Sequence, residues 1–128
     1  MNYLLIYSFL ILLIFILSGF SKIINIVETA NGLYDKVKLN LPFNIYIIAI
    51  VIVIVLEILG PLLILYSSAT NNLKKIAYYA CIILTIFTIM ATMIYHMPPT
   101  GNNKYSVLKN ISIIGALLLL AEKFNSKD

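Results

Sequence analysis

Residues 43–66 read FNIYIIAIVIVIVLEILGPLLILY, and the fold turns on what this stretch can be. At 1.5 Å of rise per residue its 24 residues make a helix of about 36 Å, longer than the roughly 30 Å of a bilayer's hydrocarbon core. It is a membrane-crossing helix. Its one ionisable residue, Glu57, falls near the middle, where a carboxylate costs about 2.5 to 3.5 kcal/mol on insertion scales. A charge at that depth needs a partner or a task. Gly60 lies three residues on and shares a helix side with Glu57, while Pro61 removes an amide donor, so a neighbouring helix can come close there.

Composition extends the reading to the whole chain. With 62% hydrophobic and 11% charged residues and a mean hydropathy of +1.01 over 128 residues, there is too little polar surface to wrap a soluble core. The expectation is a single integral membrane domain over residues 1–128. The net charge of +4 comes from nine lysines and no arginine. These sit at the edges of apolar segments, which suits anchoring in lipid headgroups and not nucleic-acid binding. The single cysteine, Cys81, excludes an intrachain disulfide and a CxxC pair.

Outward from the central stretch, a first apolar span runs from about residue 3 to 24 and closes in Ser18-Gly19-Phe20-Ser21-Lys22. A cleaved signal peptide is the rival reading, weakened by the absence of a basic start and by the length of the apolar run. Between this span and the central one, Ile23, Ile26, Val27, Ala30, Leu33, Tyr34 and Val37 recur at helical steps with charges on other faces. That pattern predicts a short amphipathic helix on the membrane surface, opened by capping-box-like spacing of Asn25 and Glu28, weakened by Gly32 and ended before Pro42.

Beyond a polar turn over residues 67–73, a third span covers 76–97, and along it Cys81, Thr85, Thr88, Thr92 and His96 form one polar helix face. The plain reading of the three threonines is that their hydroxyls bond their own backbone. His96 stands apart, beside Met97-Pro98-Pro99 where the helix must break. A fourth span covers 106–121 with Lys109 and Asn110 in its first turns. The expected fold is all-α, a membrane-embedded antiparallel four-helix bundle with the surface helix between spans 1 and 2. Tyrosines near the span ends, Tyr46 among them, read as interfacial belts. The lysine count does not fix orientation, but it leans to cytoplasmic termini if Lys22 and Lys109 belong to an intramembrane cluster.

The expected intramembrane polar site comprises Lys22, Glu57, His96, Lys109, Thr85 and Thr88, with Gly19, Gly60 and Gly115 as helix-packing positions. Two arrangements of Glu57 stay open. It pairs with Lys22, or it is protonated and bonded to Thr85 or Thr88 while Lys22 snorkels outward. His96 is expected near Lys109 at one membrane face, either as a proton-handling group or as a helix-end histidine in contact with water and headgroups.

Phe20-Ser21-Lys22 closing one span, Leu56-Glu57-Ile58-Leu59-Gly60 in the next, His96 ending the third, and Lys109-Asn110 leading into Ile114-Gly115-Ala116-Leu117-Leu118-Leu119 together resemble the DoxX-like family of small four-helix membrane proteins. The resemblance covers residues 5–121, with Pro61 standing where the family has a second glycine. It implies association with quinone-linked sulfur oxidation and oxidative-stress complexes or, in wider relatives, with chaperoning and trafficking of membrane proteins. No motif for haem, flavin, nucleotide or metal is present, and quinone is the cofactor class that the resemblance leaves open. Two classes of function follow. One is a redox-associated subunit, at most one part of an oxidoreductase complex, since no catalytic motif is self-contained and no catalytic residue can be named. The other is a scaffold, chaperone or small-molecule transport protein. Expected partners are the lipid bilayer, another membrane or redox protein, and further copies of the chain.

Overall fold

The computed structural model describes residues 3–96 and 100–125 and shows five helices: α1 (Tyr3–Ile24), α2 (Ile26–Val37), α3 (Phe43–Thr70), α4 (Lys74–Tyr95) and α5 (Asn102–Asn125). Among the described residues, α1, α3 and α4 are long and apolar enough to cross a membrane. Their outward positions carry large apolar side chains such as Leu10, Leu17, Ile52, Leu62 and Met93, all more than half exposed. In water such a surface would aggregate, whereas lipid tails solvate it.

α3 continues four residues past the expected end at 66. Polar residues need not end a helix when their hydroxyls bond within it, and here Ser68 donates to the Ile64 carbonyl at 2.9 Å and Thr70 to that of Tyr66 at 2.8 Å. Asn71 in the left-handed conformation ends the helix, its N–H bonded to the Ser67 carbonyl. α4 stops at Tyr95, and the expected break at Met97-Pro98-Pro99 lies outside the described residues.

The first connection differs from expectation. Asn25 makes no side-chain cap. Instead its N–H bonds to the Ser21 carbonyl at 3.0 Å, and its own carbonyl accepts the N–H of Thr29 at 2.9 Å and the Thr29 hydroxyl at 2.8 Å. The i to i−4 pattern therefore runs through Asn25, and α2 is a bent continuation of α1 instead of a separately capped helix. One face of α2 packs on α3. It seats Ala30, with Ile26 and Leu33 beside it, on Tyr46 and Ile50 of α3. Tyr46, expected in an interfacial belt, is 3% exposed and meets Tyr34 edge-on at 5.2 Å.

α1 packs along α3, α4 along α5, and α3 on α4. The chain is dense at one end. There Leu12, Ile64, Leu84 and Leu117 are fully buried beside Ala77, Cys81 and Ala121, whose small side chains let the helices close up. The hydroxyls of Ser8 and Ser68 meet at 3.1 Å in the same region. The other end is hollow and holds Lys22, Glu57, Thr88, His96, Lys109 and Asn110.

Candidate functional site

Gly19 determines where α1 meets α3. A Cβ at this position would stand 2.7 Å from Cγ1 of Ile58 and 3.4 Å from Cβ of Glu57, a separation only glycine tolerates without displacing Ile58. One turn further along α1, that close approach carries the lysine stem to the acid. Lys22 Nζ lies 2.7 Å from Glu57 Oε1 and donates to the Ser18 hydroxyl at 2.5 Å. Glu57 is 2% exposed and Lys22 23%. At that distance the ammonium is the partner of the buried Glu57 Oε1. Pro61, also buried, has no N–H to give the Glu57 carbonyl one turn back.

The threonines of α4 behave as the plain reading has it. Thr85, Thr88 and Thr92 are buried, and their hydroxyls donate to the carbonyls of Cys81, Leu84 and Thr88 at 2.8, 2.8 and 2.7 Å. Of the two arrangements of Glu57, the one present is the pair with Lys22. α5 joins α4 through Asn110, whose side-chain amide donates to the Thr92 hydroxyl at 2.8 Å.

These groups surround a cavity of about 580 Å³ to which all five helices contribute. Five of the six expected polar residues line it: Lys22, Glu57, Thr88, His96 and Lys109. Thr85 does not. His96 is half-buried at the C-terminal cap of α4, and Lys109 is exposed in the second turn of α5. Sequence reasoning did not assign Ser18, Thr29, Gly32 and Asn110 to the site, yet all four line the cavity. For Asn110 a signal existed, since an amide beside Lys109 at the start of an apolar run is costly in lipid unless it is bonded. A Cβ placed at Gly60 would stand 3.6 Å from Cδ1 of Leu84, an ordinary contact distance. Gly115 faces open space, with nothing within 4 Å of a Cβ placed there, so it makes no close helix contact within the chain.

Apolar helices turned outward to lipid, with a charged pair enclosed between two of them, define a multi-pass integral membrane protein. The family comparison narrows that class. The DoxX family model matches residues 4–97, and the chain belongs to the DoxX family. The matched region contains α1 to α4, with Lys22, Glu57 and His96, and ends before α5. No curated protein and no solved structure matches the chain at a significant level.

Proposed function

We propose that the chain is a redox-associated membrane subunit that holds a quinone-type ring in the cavity, the electron-transferring partner being another protein of the membrane. The observation that carries this reading is the distribution of polar groups around the cavity. The Lys22–Glu57 pair lies on α1 and α3, while Thr88, His96, Lys109 and Asn110 lie on α4 and α5, with Phe15, Val53, Phe87 and Ile113 among the apolar lining. A flat apolar ring with an oxygen at each end matches polar groups on two helix pairs. A volume of about 580 Å³ is within the usual range for small-molecule sites, roughly 300 to 1,000 Å³, and would leave an isoprenoid tail to extend into lipid. Glu57 and His96 are the proton-handling groups of this reading.

In the same proposal α5 is the fourth span and the bundle is antiparallel. Its supports are three contacts: Ser8 with Ser68 and Lys22 with Glu57, which run in opposite chain directions along α1 and α3, and Asn110, early in α5, with Thr92, late in α4. Both termini then share a side. We place them in the cytoplasm, with both Lys22, engaged with Glu57, and Lys109, at the cavity, leaving the positive-inside count of the opposite face.

Titration of the purified protein with a short-chain quinone in both oxidation states tests the ligand. Saturable binding weakened in Glu57→Gln is the expected result. Absence of binding, together with a stable protein partner recovered in mild detergent, would replace this reading with a scaffold, chaperone or transport role.

A further inference from the structure

Glycine is the poorest helix former after proline, so a glycine inside a helix calls for a reason in space or in backbone angle. Gly19 has one in Ile58, which a Cβ would meet at 2.7 Å, and Gly101 has one in its φ of +58°. Gly32, in the interior of α2, has neither: its backbone is helical, and a Cβ placed there would have nothing within 4 Å. Gly115 shares that open space but does not border the cavity, whereas Gly32 does. Thr29, Gly32 and Leu33 stand at i, i+3 and i+4, which puts them on one face of α2, and all three line the cavity. The empty space in front of Gly32 is therefore the cavity itself.

The position of α2 is fixed on either side of this face. The Thr29 hydroxyl donates to the Asn25 carbonyl at the bend from α1, at 2.8 Å, and Ala30 is fully buried with Tyr46 and Ile50 of α3. The backbone at Gly32 is thus held at the edge of the cavity with no side chain in front of it. A flat ring gains most from such a gap, because its whole face can reach van der Waals distance of the peptide groups. We infer that Gly32 is the residue that makes room for the ring: within the ring-binding reading on which this rests, the ligand lies with one face against the α2 backbone between Thr29 and Leu33. Gly32 is then a specificity-determining position that sets how much of the cavity a ring can fill, and it acts without touching the Lys22–Glu57 pair.

The test is calorimetric titration of the purified full chain in detergent with tetramethyl-benzoquinone, a ring without a tail, on the parent and on Gly32→Ala, Gly32→Leu and Asn31→Leu. Asn31 is the exposed neighbour on α2 and does not border the cavity. A leucine at residue 32 takes the place of the ring and is expected to weaken binding by about tenfold or more, and the methyl group of alanine by no more than about threefold. Asn31→Leu is expected to bind as the parent does. Thermal midpoints measured alongside are expected not to fall in either variant at residue 32, since alanine and leucine are better helix formers and enter empty space. Should the branched leucine unfold the chain, Gly32→Met, with its flexible stem, replaces it under the same expectation. Parent-like binding by the leucine or methionine variant, or equal weakening by Asn31→Leu, would overturn the inference and leave the ring-binding reading standing. A lowered midpoint in Gly32→Ala would overturn it as well, since the added carbon would then be meeting protein. If the parent binds no ring, the ring-binding reading falls and the assignment of Gly32 falls with it.

Discussion

Removing the lysine from the enclosed ion pair is the most informative single perturbation of this chain. Lys22→Met leaves Glu57 as a carboxylate that is 2% exposed, with Oε1 stripped of the ammonium that stood 2.7 Å away. Stranding one member of a buried pair costs about 3 to 5 kcal/mol. The lower end applies here, because Lys22 is 23% exposed and the pair already borders the cavity. Glu57→Gln should cost less, about 1 kcal/mol, since the lysine keeps its bond to Ser18 and has the stem length to reach outward. Independent effects would make the double variant about 4 kcal/mol less stable than the parent. A paired interaction predicts about 1.5 kcal/mol, because neither charge is then left alone, so the coupling is about 2.5 kcal/mol. Reversible unfolding in mixed detergent micelles, followed by far-ultraviolet circular dichroism on all four proteins, measures this directly. If the double variant equals the sum of the singles to within about 0.5 kcal/mol, the two side chains act independently and the pair is not an energetic unit.

Gly19→Val should destabilise the chain by about 1 to 3 kcal/mol, because the added carbon overlaps Ile58 at the α1–α3 crossing. Gly115→Ala, with open space at the same test position, should be neutral or stabilising by up to about 1 kcal/mol, and thermal unfolding of the two side by side separates packing from helix propensity. Asn110→Leu should cost about 0.5 to 1.5 kcal/mol through loss of the bond to Thr92, read in the same unfolding assay, and an unchanged midpoint would mean that the bond does not tie α5 to α4. Single cysteines at the exposed positions Asn72 and Thr100, in a background with buried Cys81 replaced by alanine, should label from opposite sides of the membrane. Labelling from the same side would rule out the antiparallel four-span arrangement.

The parts of the molecule legible in its sequence are those where lipid leaves few alternatives. A carboxylate at the centre of residues 43–66 requires a partner, and Lys22 is the cation that closes the preceding span. The threonine face of α4 was equally readable, since hydroxyls in an apolar helix return to their own backbone. What periodicity could not decide was the surface against which an amphipathic face rests. The apolar side of α2 fits a headgroup layer as well as it fits α3, and its seat on Tyr46 and Ile50 depends on tertiary shape. Asn25 misled for a related reason: the spacing to Glu28 suits a cap, but the chain gains more by carrying its hydrogen-bond ladder through the bend. Tyr46 has the position of a belt residue and the burial of a core residue, a distinction made only by the helix that covers it. Gly115 is small without a neighbour to exploit it.

The separation of a dense end from a hollow end gives the chain two mechanical characters. The half closed by Leu12, Ile64, Leu84 and Leu117 leaves side chains little room to rearrange, whereas those that border the cavity of about 580 Å³ have open volume beside them. The same partition lets substitutions at the hollow end change what the cavity holds while the dense end keeps the helices together.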